Sequence, residues 1–502
     1  MNDHAAPAGT ADVDYTGRPA DVPKPSPRLY NNDLAPVQRD FRPWGAYNVF
    51  TLWANDVHSL GNYTFAIGLF ALGLGAWQIL TTMLIGGLVL FVMLTLSGFV
   101  GERTGVPFPV MSRIAFGIHG GRIAAIARGA VAIVWFGIQT FLAAEVLNVV
   151  LVTLAPGLAS LEQTQILGLS LLGWISFSAL WLLQVVIVSY GMAMVRRYVS
   201  LAGPVILTTM ALLAIWVLAQ ANFTMAWSID EPLTGAAMWQ KISAGAGLWV
   251  VIYATFALNF SDFTRCAKSR RAIVVGNLAG IPLNMMLFAA IVVILAGAQF
   301  QIDGQIIQSP ADIVSSMAQP WLQIPASLAL IVLTVAVNLV ANFVAPIYTL
   351  ADIAPRALNF KRAGVISAVL GAAILPWNLY NSPLVIEYFL GGLGAVLGPF
   401  FGVIMADYWL LRRERVNVPD LYSERPDGDY HYSGGINRRA FAALIPSAVV
   451  AVVVALVPAF DYVAGFSWFF GAALAAVLYL LFTPRGQRFN DVSGAGISRP
   501  GI

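Results

Sequence analysis

Five polar side chains, Asn55, Asp56, His58, Ser59 and Asn62, fall within eight residues of one another in an apolar stretch, 52–63 (LWANDVHSLGNY). That stretch continues to about residue 74, long enough to cross a bilayer. On a helix Asn55, His58 and Asn62 share a face, with Asp56, Ser59 and Tyr63 beside it. A charge near the bilayer centre costs about 2.5–3.5 kcal/mol on insertion. Such a cluster therefore faces the protein interior or a water-filled cavity, unless Asp56 and His58 merely flank the span at the water interface. Gly61 lets the backbone there leave the helix and offer carbonyls to a ligand. A buried carboxylate and an imidazole can both exchange a proton, so Asn55, Asp56 and His58 are candidates for coupling to an ion.

Three further polar pairs sit in apolar surroundings. Trp135 and Gln139 (WFGIQTF) are four residues apart on one helix face. An indole that stacks and an amide that both donates and accepts suit a flat heterocycle; a packing tryptophan and an interhelical glutamine bond would look the same. Asn338 and Asn342 (VNLVANFVAP) repeat the spacing, and two buried amides need partners, whether ligand or neighbouring helix. Tyr253 and Thr255 follow Trp249 in a span that opens with SAGAG at 243–247. Glu387 reads as an outer-cavity or interface residue ahead of the glycine run GGLGAVLGPFFG.

The elements that must carry these residues are membrane helices. Of 502 residues, 58% are hydrophobic and 11% charged, and the mean hydropathy is +0.75. That composition belongs to an all-α polytopic membrane protein. Twelve spans are predicted, at 47–74, 77–100, 122–153, 164–189, 199–219, 244–260, 272–298, 326–349, 363–377, 384–411, 439–458 and 463–483. With the N-terminus inside, the inner segments carry Arg103, Arg113, Arg122, Arg128, Arg196, Arg197, Arg265, Lys268, Arg270, Arg271, Arg356, Lys361, Arg362, Arg412, Arg413 and Arg415. The outer ones hold a single lysine, Lys241, of 28 Lys and Arg. This bias predicts cytoplasmic N- and C-termini in the cell (inner) membrane. Residues 1 to about 42 read as a polar, uncleaved tail that ends in an ordered approach, NNDLAPVQRDFRPWG, and 101–120 as a short helical element at the cytoplasmic surface. Spans one and six, five apart, are polar or glycine-broken. Paired interruptions point to an inverted-repeat transporter, although glycines also serve plain helix contacts. One cysteine, Cys266, excludes an internal disulfide, and four scattered histidines argue against a metal site. Nucleophile elbows, HExxH and phosphate-binding glycine loops are missing, which leaves Asp56 with His58 as the one pair that could support a membrane enzyme.

The stretches NNDLAP, LWANDVHSLGNY, GVPFPVMSRIAFGIHG, WFGIQT, LNFSDFTRCAK, NLVANFVAPIYTL and LGPFFGVIMADYWLLRRERVNVPDLY run in order from about residue 31 to 423. In them the chain resembles the nucleobase–cation symporter-1 family, the cytosine/purine, uracil, thiamine and allantoin permeases. The VHS–NY portion looks most like the allantoin-type members.

The resemblance implies a leucine-transporter-like fold. Five-plus-five inverted repeats would occupy 44–220 and 240–411. Flanking them would be a tail at 1–43, a cytoplasmic loop at 412–438, two extra helices at 439–484 and a C-terminal tail at 485–502. It also implies that Trp135 stacks on a substrate ring and that Gln139 and Asn342 hydrogen-bond its amides. Tyr253 would form the second face of the stack, and His58 and Ser59 would border the pocket; Asn338, one turn before Asn342, is a further candidate substrate-binding residue. Sodium-coupled relatives carry a Ser-Thr pair where this chain has Ala336 and Val337, and methyls cannot ligate a hard cation. The expected function is proton-coupled import of a nucleobase, allantoin or hydantoin. The alternatives are another small solute such as an amino acid or thiamine, or sodium coupling. No cofactor is expected. The expected partners are the heterocycle, the coupling cation and the bilayer, with no nucleic acid and no obligate protein partner.

Overall fold

The computed structural model describes residues 19–492, apart from 230, 306, 308, 381–391, 393 and 485. Glu387 lies outside the described residues. Nine helices among the described residues are long and apolar enough to cross a membrane: Ala76–Thr104 (α3), Gly121–Leu154 (α5), Leu171–Ser189 (α6), Met192–Gln220 (α7), Arg270–Asp303, Pro320–Ile353, Gly394–Leu411, Arg438–Leu456 and Ala464–Phe482. Spans one and six are each broken in two, and span nine is a 14-residue helix, Phe360–Ala373. The set is consistent with twelve spans.

Span one comprises Ala46–Asp56 (α1) and Leu60–Ala71 (α2). A helix that stops inside a membrane leaves carbonyls unpaired, and Asn62 supplies the remedy. Its Nδ2 donates to the carbonyls of Asp56 (2.9 Å) and Val57 (3.1 Å). Ser59, in extended backbone, restarts the helix by accepting from the Asn62 N–H (3.2 Å).

Span six breaks at a different place from the one expected. Gly235–Ile252 (α8) runs unbroken through SAGAG, and the interruption falls at Tyr253, before Ala254–Asn259 (α9) and Ser261–Thr264 (α10). The glycines serve close packing. A Cβ on Gly245 would sit 3.0 Å from Thr82 Cγ2, and one on Gly247 2.9 Å from the Gly465 carbonyl.

Spans seven, eight and ten each contain a π turn, at Ala279–Leu283, Leu339–Phe343 and Ala406–Leu411. In span seven Pro282, which lacks an N–H, accounts for the bulge between Arg270–Leu278 (α11) and Asn284–Asp303 (α12). In span eight the turn joins Pro320–Asn338 (α14) to Val344–Ile353 (α15) and contains Asn342.

Several boundaries move. Residues 165–170 form a small hairpin before span four, span five starts at Met192, and span six at Gly235. The element at 101–120 includes the helix Phe108–Phe116 (α4), and every residue of it is buried. Two arginines counted among loop positives are interior. Arg113 is ion-paired with Asp352, both fully buried, and Arg128 lies two turns into α5 at 1% exposure.

The basic end is crossed by an N-terminal strap. Its backbone bonds reach the end of span two (Val37 N–H to Gly105 O, 2.9 Å) and the end of span six (Trp44 N–H to Cys266 O, 2.9 Å). Its side chains reach the start of span nine: Asp33 Oδ2 accepts from Phe360 N (2.8 Å) and Asn31 donates to Leu358 O (3.0 Å).

Candidate functional site

Two groups of side chains meet at the broken helices. The first is aromatic. Trp53 of α1 packs against Tyr253 (6.2 Å between centroids), Phe256 (5.2 Å) and Phe260 (5.2 Å). Trp249 packs against Tyr253 (5.4 Å) and stacks on Phe288 (5.5 Å). Tyr253 is therefore enclosed by protein rings at 0% exposure, and its hydroxyl lies within donating distance of Asn62 Nδ2 (2.9 Å), which shares its two N–H groups with the Asp56 and Val57 carbonyls. It presents no open ring face here, contrary to the expected second wall of a stack.

His58 departs from expectation too. It is fully buried against span seven, Nδ1 2.7 Å from the Tyr63 hydroxyl and Nε2 3.2 Å from Asn284 Oδ1. A neutral Nε2–H tautomer satisfies both contacts, which makes His58 a pin between spans one and seven rather than a pocket border. Ser59 is occupied as the cap of α2. Asn55 ties α1 to α7 by donating to the carbonyls of Thr51 (2.5 Å) and Val199 (2.8 Å), with its Oδ1 buried and unpartnered.

The second group is an amide cluster between spans three, four and eight. Asn338 Nδ2 lies within donating distance of Gln184 Oε1 (2.8 Å), Thr140 Oγ1 (3.0 Å) and the Phe136 carbonyl (3.0 Å), while its Oδ1 accepts from Asn342 Nδ2 (3.0 Å). Asn338, a candidate substrate contact, is thus engaged within the scaffold through both its amide nitrogen and its oxygen. Asn342 keeps its Oδ1 without a protein donor among the described residues. On α5, Gln139 is 6% exposed and its Oε1 is buried without a partner among the described residues. Trp135, one turn earlier, is half-buried and takes part in none of the described ring pairs.

Arg128 joins the two groups. Its Nε donates to the Thr255 carbonyl (3.2 Å) and Asn259 Oδ1 (3.1 Å) of broken span six, and Nη2 donates to the Ala341 carbonyl (2.7 Å) in the π turn of span eight. That turn is what frees the Ala341 carbonyl to look sideways. Asn259 is held by Asp262 Oδ2 (2.8 Å), whose other oxygen accepts from Phe108 N–H at the start of α4 (2.7 Å). Arg128 Nη1 is buried and has no partner among the described residues. One anion left unused is Asp56, 7% exposed at the end of α1, whose carboxylate has no hydrogen bond or ion pair among the described residues and lies within the field of Arg128. Sequence reasoning missed Arg128 as a site residue and gave Asn62, named in the polar cluster, no role of its own. An arginine six residues inside a predicted span was the available signal for the first.

A profile of permeases for cytosine/purines, uracil, thiamine and allantoin matches residues 36–478. The chain belongs to this family. The permease is 34% identical to an allantoin permease of Bacillus subtilis, over 91% of its own length and 93% of that protein's. It is 32% identical to a purine-uracil permease of Arabidopsis thaliana, over 86% and 72% of the two chains. Among solved structures, Mhp1, a nucleobase-cation-symport-1 family transporter in a closed conformation with bromovinylhydantoin bound, superposes with a TM-score of 0.75 at 23% identity, covering 90% and 95%. MhsT in complex with L-phenylalanine gives 0.52 at 13% identity, covering 87% and 97%. The permease is a multi-pass membrane transporter on the leucine-transporter-like fold, not an enzyme.

Proposed function

We propose that the permease imports a small planar heterocycle of the allantoin, hydantoin, uracil or cytosine type, coupled to protons, with both termini cytoplasmic in the cell membrane. The observation that carries the substrate class is Gln139. Its Oε1 is a buried acceptor with no protein donor among the described residues, one helical turn from Trp135. An orphaned buried acceptor requires an explanation. A ring N–H donated to it, with the ring laid on the Trp135 indole, supplies one, and Asn342 Oδ1 is a second acceptor nearby on span eight. The relatives are named for allantoin, purine-uracil and hydantoin, all flat rings with N–H donors.

Coupling is assigned to Asp56. While charged, it is drawn toward Arg128, which holds span six and the π turn of span eight together. Protonation removes that attraction and frees the span-one break to move with its bundle. His58, already satisfied on both ring nitrogens, has no such freedom. Ala336 and Val337, 0% and 2% exposed, present only methyls where a sodium ion would need oxygen. Alternating access then follows from the halves at 44–220 and 240–411 rocking about the site.

A thermal-stability panel on the detergent-purified protein tests the substrate class. Allantoin, hydantoin, uracil, cytosine and hypoxanthine are compared with thiamine and amino acids, since a bound ligand raises stability by RT ln(1 + [L]/Kd). A rise with at least one nucleobase-like ring and none with amino acids is expected. Stabilisation by amino acids or thiamine alone overturns the assignment.

A further inference from the structure

A pocket of about 460 Å³ opens at the basic end of the membrane spans, between spans two, seven and ten. We infer that it binds the phosphate headgroup of an anionic phospholipid, a ligand separate from the transported solute. Arg39, Arg103, Arg270 and Arg271 line it, with Glu102, Glu414 and Ser269. Glu102 is shared among Arg39 (3.6 Å), Arg42 (3.8 Å) and Arg270 (3.7 Å); Glu414 pairs with Arg270 (2.5 Å) and Asp491 with Arg103 (2.7 Å). Five guanidiniums therefore face three carboxylates, leaving two positive charges in excess. Arg271 is exposed and has no acidic partner among the described residues.

The donors in the lining, four guanidiniums and the Ser269 hydroxyl, point to an oxyanion. Tyr408 is 1% exposed and lies behind the pocket wall rather than in its lining, its buried hydroxyl without a partner among the described residues. Ser269 caps span seven by accepting from Ala272 N–H (3.2 Å), which leaves its own O–H to donate beside the positive end of that helix. Guanidiniums, a hydroxyl and a helix N-terminus together are phosphate-binding chemistry.

The surroundings choose a lipid over a free phosphate. Leu96 and Val92 lie seven and eleven residues before Arg103, on the same face of α3, and are 38% and 54% exposed. Val275 and Leu278 lie four and seven residues after Arg271, on the same face of α11, and are 46% and 45% exposed. Leu410 of span ten, 59% exposed, stands at the same end. Apolar tracks thus run from the charged pocket along two neighbouring helices, as acyl chains attached to a bound headgroup require.

Native mass spectrometry of delipidated permease, titrated with phosphatidylglycerol, phosphatidylcholine or glycerol phosphate, tests this. The wild type is expected to retain one phosphatidylglycerol under conditions that strip phosphatidylcholine. The double variant Arg39→Gln/Arg271→Gln, at two exposed positions away from the substrate site, should lose at least tenfold in phosphatidylglycerol affinity while keeping the wild-type melting temperature in detergent. Equal retention of both lipids, or unchanged affinity in the folded double variant, overturns the proposal. Binding of glycerol phosphate as tight as that of phosphatidylglycerol also overturns it, in favour of a free-phosphate site.

Discussion

Trp135 and Gln139 share a helix face but make different predictions. Trp135→Ala removes a stacking surface worth about 1–3 kcal/mol for a planar base, so the heterocycle's Kd should rise roughly 5–150-fold. Gln139→Leu should weaken ligands that carry a ring N–H yet leave the unliganded protein as stable or more so, because it deletes an acceptor that has no partner. Isothermal titration with parallel melting curves checks both. A Gln139→Leu protein that melts earlier and binds normally would return this residue to a packing role. The residue types at these positions were legible in the sequence because an indole and an amide one turn apart stand out in an apolar span. Which polar atoms remain free was not. Asn338 and Asn342 look alike in sequence, and only the placement of Gln184 and Thr140 shows that the first is committed to the scaffold. Arg128 was misassigned because its charge fitted the inside bias; three carbonyl or amide oxygens from two other spans make its burial tolerable.

At the scale of elements, the interruption of span one could be read from its polar run, since Asn62 and Ser59 are both suited to ending and restarting a helix. The interruption of span six could not. Its glycines drew attention, but they pack against Thr82 and Gly465, while the chain breaks at Tyr253, an aromatic residue with no intrinsic tendency to stop a helix. The π turns of spans eight and ten were equally hidden, because nothing in their local propensity marks them, whereas Pro282 in span seven was a signal left unread. The amide cluster gives a test at this scale. Asn338→Ala leaves Gln184 and Asn342 each short of a buried partner and should cost about 1–3 kcal/mol. A lowered denaturation midpoint in detergent, with substrate affinity falling less than in Trp135→Ala, is the expected pattern. The reverse order would place Asn338 at the ligand.

For the whole molecule, composition and charge bias were enough to give the membrane class and the span order, and the family motifs gave the fold. What they left out is how the basic end is closed. There the strap bonds to spans two, six and nine, and Arg113 pairs with Asp352 in a fully buried site that Arg122 approaches to 3.8 Å. Asp352→Ala strands the Arg113 charge and should destabilise by about 3–5 kcal/mol. Adding Arg113→Met should recover a large part of that loss, as a double-mutant melting cycle would show; strictly additive losses would mean the pair is not coupled.

The central claim is that Asp56, answering to Arg128, links proton entry to movement of the bundle. Uptake of the stabilising heterocycle into proteoliposomes under imposed gradients tests it most directly. An inward proton gradient should drive accumulation without sodium, and Asp56→Asn should abolish that accumulation while still exchanging labelled for unlabelled substrate at equilibrium. Accumulation driven by a sodium gradient alone, or an Asp56→Asn protein that still responds to the proton gradient, would contradict the account.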